Sequence, residues 1–339
     1  MGLRLSILDQ SLIGEQETAV LALNKTIQLA QKAESLGYHR FWVSEHHNSE
    51  KLAGSSPEVL ISHLLAKTKT IRIGSGGVML QHYSPYKVAE NFNVLASLAP
   101  GRVDLGVGKA PGGLPLSTKA LQDGRFDNHK DLWEKLVDLK KFVTDSLEPH
   151  HPFYGLRAEP VSPEPPELFL LGASVTSAKL AGELGYSFVF AQFINNNETV
   201  LEEAFEVFSR LQERKKTEPI SFILALSVIV ADTDEEAKQL VTNSKIFKVH
   251  LERGKTVTLG SLEQAELFGK QANENYRIEI QEASILAGSK KTIREKLQKI
   301  QNVFDLDEMI IITPIENFED RLKSYVLLSE AMSELPISR

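Results

Sequence analysis

The chain runs to 339 residues, about two average domains by length, although α/β barrels of this size fold as a single unit. At 42% hydrophobic and 24% charged residues, with only 21 Gly and 14 Pro, it can bury a large core, which excludes disordered, collagen-like and low-complexity chains. The absence of cysteine excludes disulfides, thiolate metal sites, iron–sulfur clusters and a Cys nucleophile, and a net charge of −7 with scattered charges gives no global attraction to nucleic acid or anionic lipid.

Met1 leads directly into a strand-like run, Leu3-Arg4-Leu5-Ser6-Ile7-Leu8, where a secretory leader would be basic and then apolar. No apolar run approaches the roughly 18 residues of a membrane span, so the sequence reads as a cytoplasmic protein with neither membrane nor nucleic acid as partner. Val20, Leu23, Ile27, Ala30 and Ala33 recur three or four apart on one face of a helix that stops at Leu36-Gly37, where Gly suits the left-handed position after a helix. A strand over 40–43 follows, then a helix over 57–67, a strand over 71–75 and a helix opening near Pro85, a residue tolerated where the first amide protons lack partners anyway. A strand over 102–107 precedes a longer helix over 126–146 and a Pro-rich surface loop over 150–166. Next come a buried strand over 168–171, a helix over 175–184, a strand over 187–190, a helix over 198–214 and the longest apolar run, 222–230. Helices near 234–250 and 292–300, a strand over 309–312 and a closing helix over 318–331 complete the chain.

Eight successive strand-then-helix units without a composition break favour one (β/α)8 TIM barrel spanning 1–339 over an open doubly wound sheet. Residues 254–287, between the seventh and eighth strands, have weak periodicity and polar text such as Gln271-Ala272-Asn273-Glu274-Asn275. An insertion of that length in a compact domain is either a functional lid or disordered. Barrel active sites lie at the C-terminal ends of the strands, so the informative residues are those just after each β run.

After the second strand stands Ser44-Glu45-His46-His47. Two imidazoles and a carboxylate there suit a divalent metal or acid–base work, because His titrates near neutrality. The metal reading is the weaker, since adjacent side chains on extended backbone point to opposite sides and no His-x-His follows the first strand. The remaining readings are structural histidines or one hydrogen-bonding, proton-transferring His at a cofactor. Gly74-Ser75-Gly76-Gly77 after the third strand either ends that strand or lets backbone approach a flat ligand, which only residues without a Cβ permit. Gly106-Val107-Gly108-Lys109-Ala110-Pro111-Gly112-Gly113 after the fourth repeats the theme and adds a cation, with a spacing that is neither a phosphate-cradling P-loop nor a dinucleotide fingerprint. After the fifth, Leu171-Gly172-Ala173-Ser174-Val175-Thr176-Ser177 runs straight into a helix, so its free amides and the hydroxyls of Ser174 and Ser177 suit an anion, against ordinary capping by Ser174. No Gly-x-Ser-x-Gly elbow is present for acyl transfer.

Glu45-His46-His47, then Ala66-Lys67-Thr68-Lys69-Thr70-Ile71-Arg72-Ile73-Gly74, Pro85 with Ala89-Glu90, and Pro100-Gly101-Arg102-Val103-Asp104-Leu105-Gly106-Val107-Gly108 together resemble the luciferase-like, flavin-dependent monooxygenases. The resemblance continues through Gly172-Ala173-Ser174, Ala178-Lys179-Leu180-Ala181 and Ala287-Gly288-Ser289, and so covers essentially the whole chain. It implies a (β/α)8 barrel with an insertion after the seventh strand, matching 254–287 to a mobile lid. It also implies reduced FMN (FMNH2) supplied by a separate NAD(P)H:flavin reductase, its reaction with O2 to a C4a-peroxyflavin, insertion of one oxygen into a small organic substrate, and a homodimer formed through early helices. By the same resemblance His46 is implicated in proton transfer, Gly76-Gly77 match a non-prolyl cis peptide beneath the flavin, and Gly108 lies near the ring's reactive edge. Lys109 stands where the family usually has Arg, which keeps a charge but loses the bidentate fork, and Ala173, Ser174 and Ser177 match the phosphate turn. A deazaflavin-dependent dehydrogenase and a flavin-binding protein without turnover are the alternative functions, and the substrate is not legible.

Overall fold

A computed structural model describes residues 2–122, 130–214, 220–241 and 245–333. In chain order the first half contains β1 (Arg4–Asp9), α1 (Ala19–Ser35), β2 (Arg40–Val43), α2 (Pro57–Lys67), β3 (Arg72–Met79), α3 (Pro85–Leu98), β4 (Val103–Gly108), α4 (Pro115–Leu121), α5 (Leu132–Val143), β5 (Glu167–Gly172) and α6 (Val175–Leu184). The second half contains β6 (Ser187–Ala191), α7 (Glu198–Arg214), β7 (Phe222–Ala231), α8 (Asp234–Gln239), β8 (Lys245–Leu251), β9 (Thr256–Leu259), α9 (Leu262–Ala272), β10 (Tyr276–Glu282), β11 (Ile285–Ser289), α10 (Lys290–Phe304), β12 (Glu308–Ile312) and α11 (Phe318–Ser333).

Strands β1 to β7 pair in sequence and in parallel, β12 joins β7 to β1, and the ring closes as an eight-stranded barrel with helices outside. Alternation along the strands builds two cores, because successive side chains point to opposite faces. Leu5, Ile7, Phe41, Val43, Ile73, Leu105 and Val107 face the helices, while Leu8, Trp42, Phe169, Val189, Ile223 and Ile310 fill the barrel. Below them, at the N-terminal ends of the strands, the interior is ionic. Buried Arg40 binds Asp104 at 2.9 Å and Glu308 at 3.0 Å, Arg72 adds a 2.6 Å contact to Asp104, and Trp42 Nε1 donates to Asp104 at 2.9 Å. Every charge there has a partner, which is what makes buried ions tolerable.

The barrel and most boundaries agree with the sequence reading, and the departures have local causes. The glycines placed after the third strand lie inside it: β3 continues to Met79 with a register shift between Gly76 and Val78. Space explains two of them. A Cβ on Gly74 would lie 2.6 Å from Asp104, and one on Gly77 2.7 Å from the Gly106 carbonyl oxygen. Of the helix read over 126–146, residues 123–129 lie outside the described ones, and α5 covers 132–143 behind an Asp131 capping box. The helix read over 234–250 is shorter. Its capping box at Thr233 starts α8, which ends at Gln239, and 245–251 forms β8 because Phe247, Val249 and Leu251 alternate onto a small separate core.

That core belongs to the insertion, which is longer than 254–287 at its start and shorter at its end. Antiparallel β10, β8 and β9 form a three-stranded sheet covered by α9, whereas 285–289 is β11, a ninth strand beside the upper half of β7. No helix of the described residues is long and apolar enough to cross a membrane.

Candidate active site

The ends of β2, β3, β4 and β5 lie side by side, with Val43 opposite Ser75, Met79 opposite Gly108 and Gly108 opposite Leu171. This register brings His46, Gly76-Gly77, Gly108-Lys109 and Ala173–Ser177 to consecutive strands at one rim of the barrel. The Gly76–Gly77 peptide is cis.

The two histidines after β2 are not equivalent. His47 Nε2 bonds Glu45 Oε1 at 2.7 Å and its backbone N–H donates to the Gly112 carbonyl. His46 Nδ1 lies 3.0 Å from the Ser44 hydroxyl, and no described residue bonds its Nε2, which is not sealed from solvent. Burial lowers the His46 pKa to about 4, so its ring is neutral near pH 7.

Glu45, fully buried, is the hub behind the pair, where the motif suggested a carboxylate for metal or acid–base work. Its carboxylate accepts from Tyr83 OH at 2.7 Å and from the Met79 amide at 2.9 Å, besides its bond with His47. Burial and Glu45 together push the Tyr83 hydroxyl well above its usual pKa. The turn carrying Tyr83 is itself anchored from below. Lys135 of α5 donates to the carbonyls of Leu80, Gln81 and Tyr83 at 3.2, 2.8 and 3.1 Å, and His82 Nε2 meets the Pro111 carbonyl at 2.8 Å. The only sequence signal for this hub was the position of Glu45 inside the motif; Tyr83 and Lys135 carried none.

Space distinguishes the glycines. A Cβ on Gly76 would come within 2.6 Å of Leu8 and 3.1 Å of Trp42, so packing inside the barrel already requires glycine there. Gly108 is different: a Cβ would meet only Met79 Sδ, at 3.8 Å, an ordinary contact. The room beside Gly108 is a cradle at the rim that the chain itself leaves unfilled.

At the start of α6 the Ser174 hydroxyl caps the helix by accepting from the Ser177 amide at 3.2 Å and lies 3.0 Å from the Ser177 hydroxyl. Capping leaves the turn open to an anion, because both hydroxyls are half-buried and the first-turn amides have no carbonyl partner within the helix. Asn195 holds the turn by donating to the Ala173 carbonyl at 2.9 Å. Lys109 is exposed and faces the insertion, where its charge adds to desolvation in holding the Lys255 ammonium below its usual pKa. Among the described residues no group of three or more His, Asp or Glu side chains is arranged to hold a metal ion. An open rim beside Gly108 and a hydroxyl-lined helix start on the next strand fit a flat, phosphorylated cofactor.

The family model described as luciferase-like monooxygenase matches residues 3–305. An N-acetyl-S-alkylcysteine monooxygenase of Bacillus subtilis (strain 168) is 49% identical over 331 residues, covering 97% of this chain and 98% of that protein. The crystal structure of apo-MsnO8 superposes with a TM-score of 0.79 at 32% identity, covering 98% and 99% of the two chains. The oxygenating constituent of 3,6-diketocamphane monooxygenase from Pseudomonas putida, solved with FMN, shares the fold with a TM-score of 0.72 at 20% identity, covering 99% of each chain. With a matching barrel and this kinship over nearly its whole length, the chain belongs to the luciferase-like monooxygenase family, a family of flavin-dependent oxygenases.

Proposed function

We propose that the protein is the oxygenase of a two-component system: it binds reduced FMN delivered by a separate NAD(P)H:flavin reductase and transfers one atom of O2 to a small organic substrate. The observation that carries this reading is the gathering at one rim, at the ends of β2, β4 and β5, of His46 with its open Nε2, the unfilled space at Gly108 and the Ser174–Ser177 hydroxyl pair. Reduced flavin supplies two electrons, so that one oxygen atom enters the substrate and the other leaves as water. The residues divide the remaining work. Ala173, Ser174 and Ser177 hold the phosphate with the helix amides, Lys109 adds a positive charge, and Gly76, Gly77 and Gly108 let the ring lie against backbone. His46 holds a proton position at Nε2, while the insertion of β8, β9, α9 and β10 acts as a lid that keeps water out.

The 49% identity to the B. subtilis protein supports an N-acylated thioether amino acid as substrate. Exposed Val59 on α2 and Val94 and Leu98 on α3 support a homodimer through the early helices. Leu98→Lys with light scattering checks that: a dimer that becomes a monomer supports it, and a monomeric wild type rejects it.

The function is tested by anaerobic titration with FMN, FMNH2 and deazaflavin, followed by ¹⁸O2 in the presence of N-acetyl-S-alkylcysteine. Tight FMNH2 binding and ¹⁸O in the product are expected, and His46→Ala should slow turnover while leaving FMN affinity intact. Binding of deazaflavin alone would turn the reading to hydride transfer, and flavin reoxidation with no labelled product from any substrate would turn it to a non-catalytic flavoprotein.

A further inference from the structure

Ser44 is 5% exposed, and its hydroxyl has one hydrogen-bond partner among the described residues, His46 Nδ1 at 3.0 Å. A serine hydroxyl carries one proton that needs an acceptor, and a neutral imidazole offers one bare nitrogen and one N–H. Two arrangements are open. If the ring proton sits on Nδ1, Ser44 accepts it and buries its own O–H without an acceptor, which is unfavourable. If it sits on Nε2, Ser44 donates to bare Nδ1 and both groups are satisfied. Neighbouring groups do not disturb the choice: the Glu45 carboxylate is turned to His47, Tyr83 and Met79, and His47 Nε2 is spent on Glu45. Desolvation keeps the ring neutral near pH 7, so these two tautomers are the relevant states.

We infer that Ser44 fixes His46 as its Nε2–H tautomer, so that the ring presents a hydrogen-bond donor, not a base, to the barrel mouth. The catalytic consequence rests on the oxygenase reading above: an N–H aimed into the site stabilises an oxygen atom that gains negative charge as O2 is reduced. Ser44 is thus a positioning residue that acts through His46.

The test is the ¹⁵N imidazole spectrum of flavin-free protein near pH 7.5, with the His46 signals assigned by their loss in His46→Ala. The wild type is expected to show a protonated Nε2 and an unprotonated Nδ1. In Ser44→Ala the proton should be shared between the two nitrogens, drawing their resonances together, and kcat should fall about tenfold, the size of one misdirected hydrogen bond, at unchanged KM. Ser44→Thr, which keeps the hydroxyl, should restore both. A protonated Nδ1 in the wild type, or a Ser44→Ala spectrum matching the wild type, overturns the inference. If the tautomer is found as inferred but His46→Ala turns over at full rate, the assignment stands and the catalytic role of His46 falls.

Discussion

Gly77 and Gly108 look alike in the sequence, yet the structure makes opposite demands on them. Gly77→Ala drives a methyl against the Gly106 carbonyl and should cost about 1–3 kcal/mol in urea unfolding. Gly108→Ala should leave stability within about 0.5 kcal/mol and lower FMN affinity instead. Glu45 gives a second contrast: Tyr83→Phe removes one hydrogen bond and should cost about 1 kcal/mol, whereas Glu45→Ala strands several buried donors and should cost at least twice that. His46 has a pH signature. Its folded pKa of about 4 lies below the ordinary 6.5, so between those values the unfolded chain binds the extra proton and stability falls as pH falls. Allowing for the ring's partial exposure, His46→Gln should lose about 1–2 kcal/mol less than the wild type on acidification from pH 7 to pH 4, measured by denaturant midpoints.

At the scale of elements, the sequence was most legible where one period ran without interruption. The helices over 175–184 and 198–214 were read at their observed bounds, because Ser174 starts α6, Gly185 takes the left-handed turn after it, and α7 keeps one apolar face throughout. Legibility failed where a contact far along the chain decides the structure. Strand β8 owes its form to β9, β10 and α9, whose pairings are nonlocal, and β11 owes its form to β7. The site divides the same way: the motifs after four strands were visible, but their meeting at one rim is a product of register, and Tyr83 and Lys135 join only through folding. The segment after β4 ties the insertion to the rim. Leu114, 7% exposed, packs into the insertion's own core with Val249, Leu251 and Phe268, and the Leu116 amide donates to Gln271 at 3.1 Å. Leu114→Ala should therefore destabilise β8–β10 locally by about 2–3 kcal/mol, seen as faster hydrogen exchange over 245–282 with unchanged protection in β1–β4.

The whole molecule has two unlike ends. At one, Arg40, Asp104 and Glu308 are nearly solvent-free and interlocked, with Phe169 beneath the Arg40 guanidinium at 4.9 Å. At the other lie the rim glycines, His46 and the insertion. Replacing Arg40 by Met leaves Asp104 and Glu308 without their shared cation and should cost about 3–5 kcal/mol in global unfolding, with no selective effect on flavin binding. The ionic floor also governs traffic. With the base stoppered by these ion pairs, flavin and substrate share the entrance at the rim, and whichever sits deeper arrives first and leaves last. Steady-state kinetics should accordingly be ordered, with flavin binding ahead of substrate, and a substrate analogue should trap bound flavin by slowing its release.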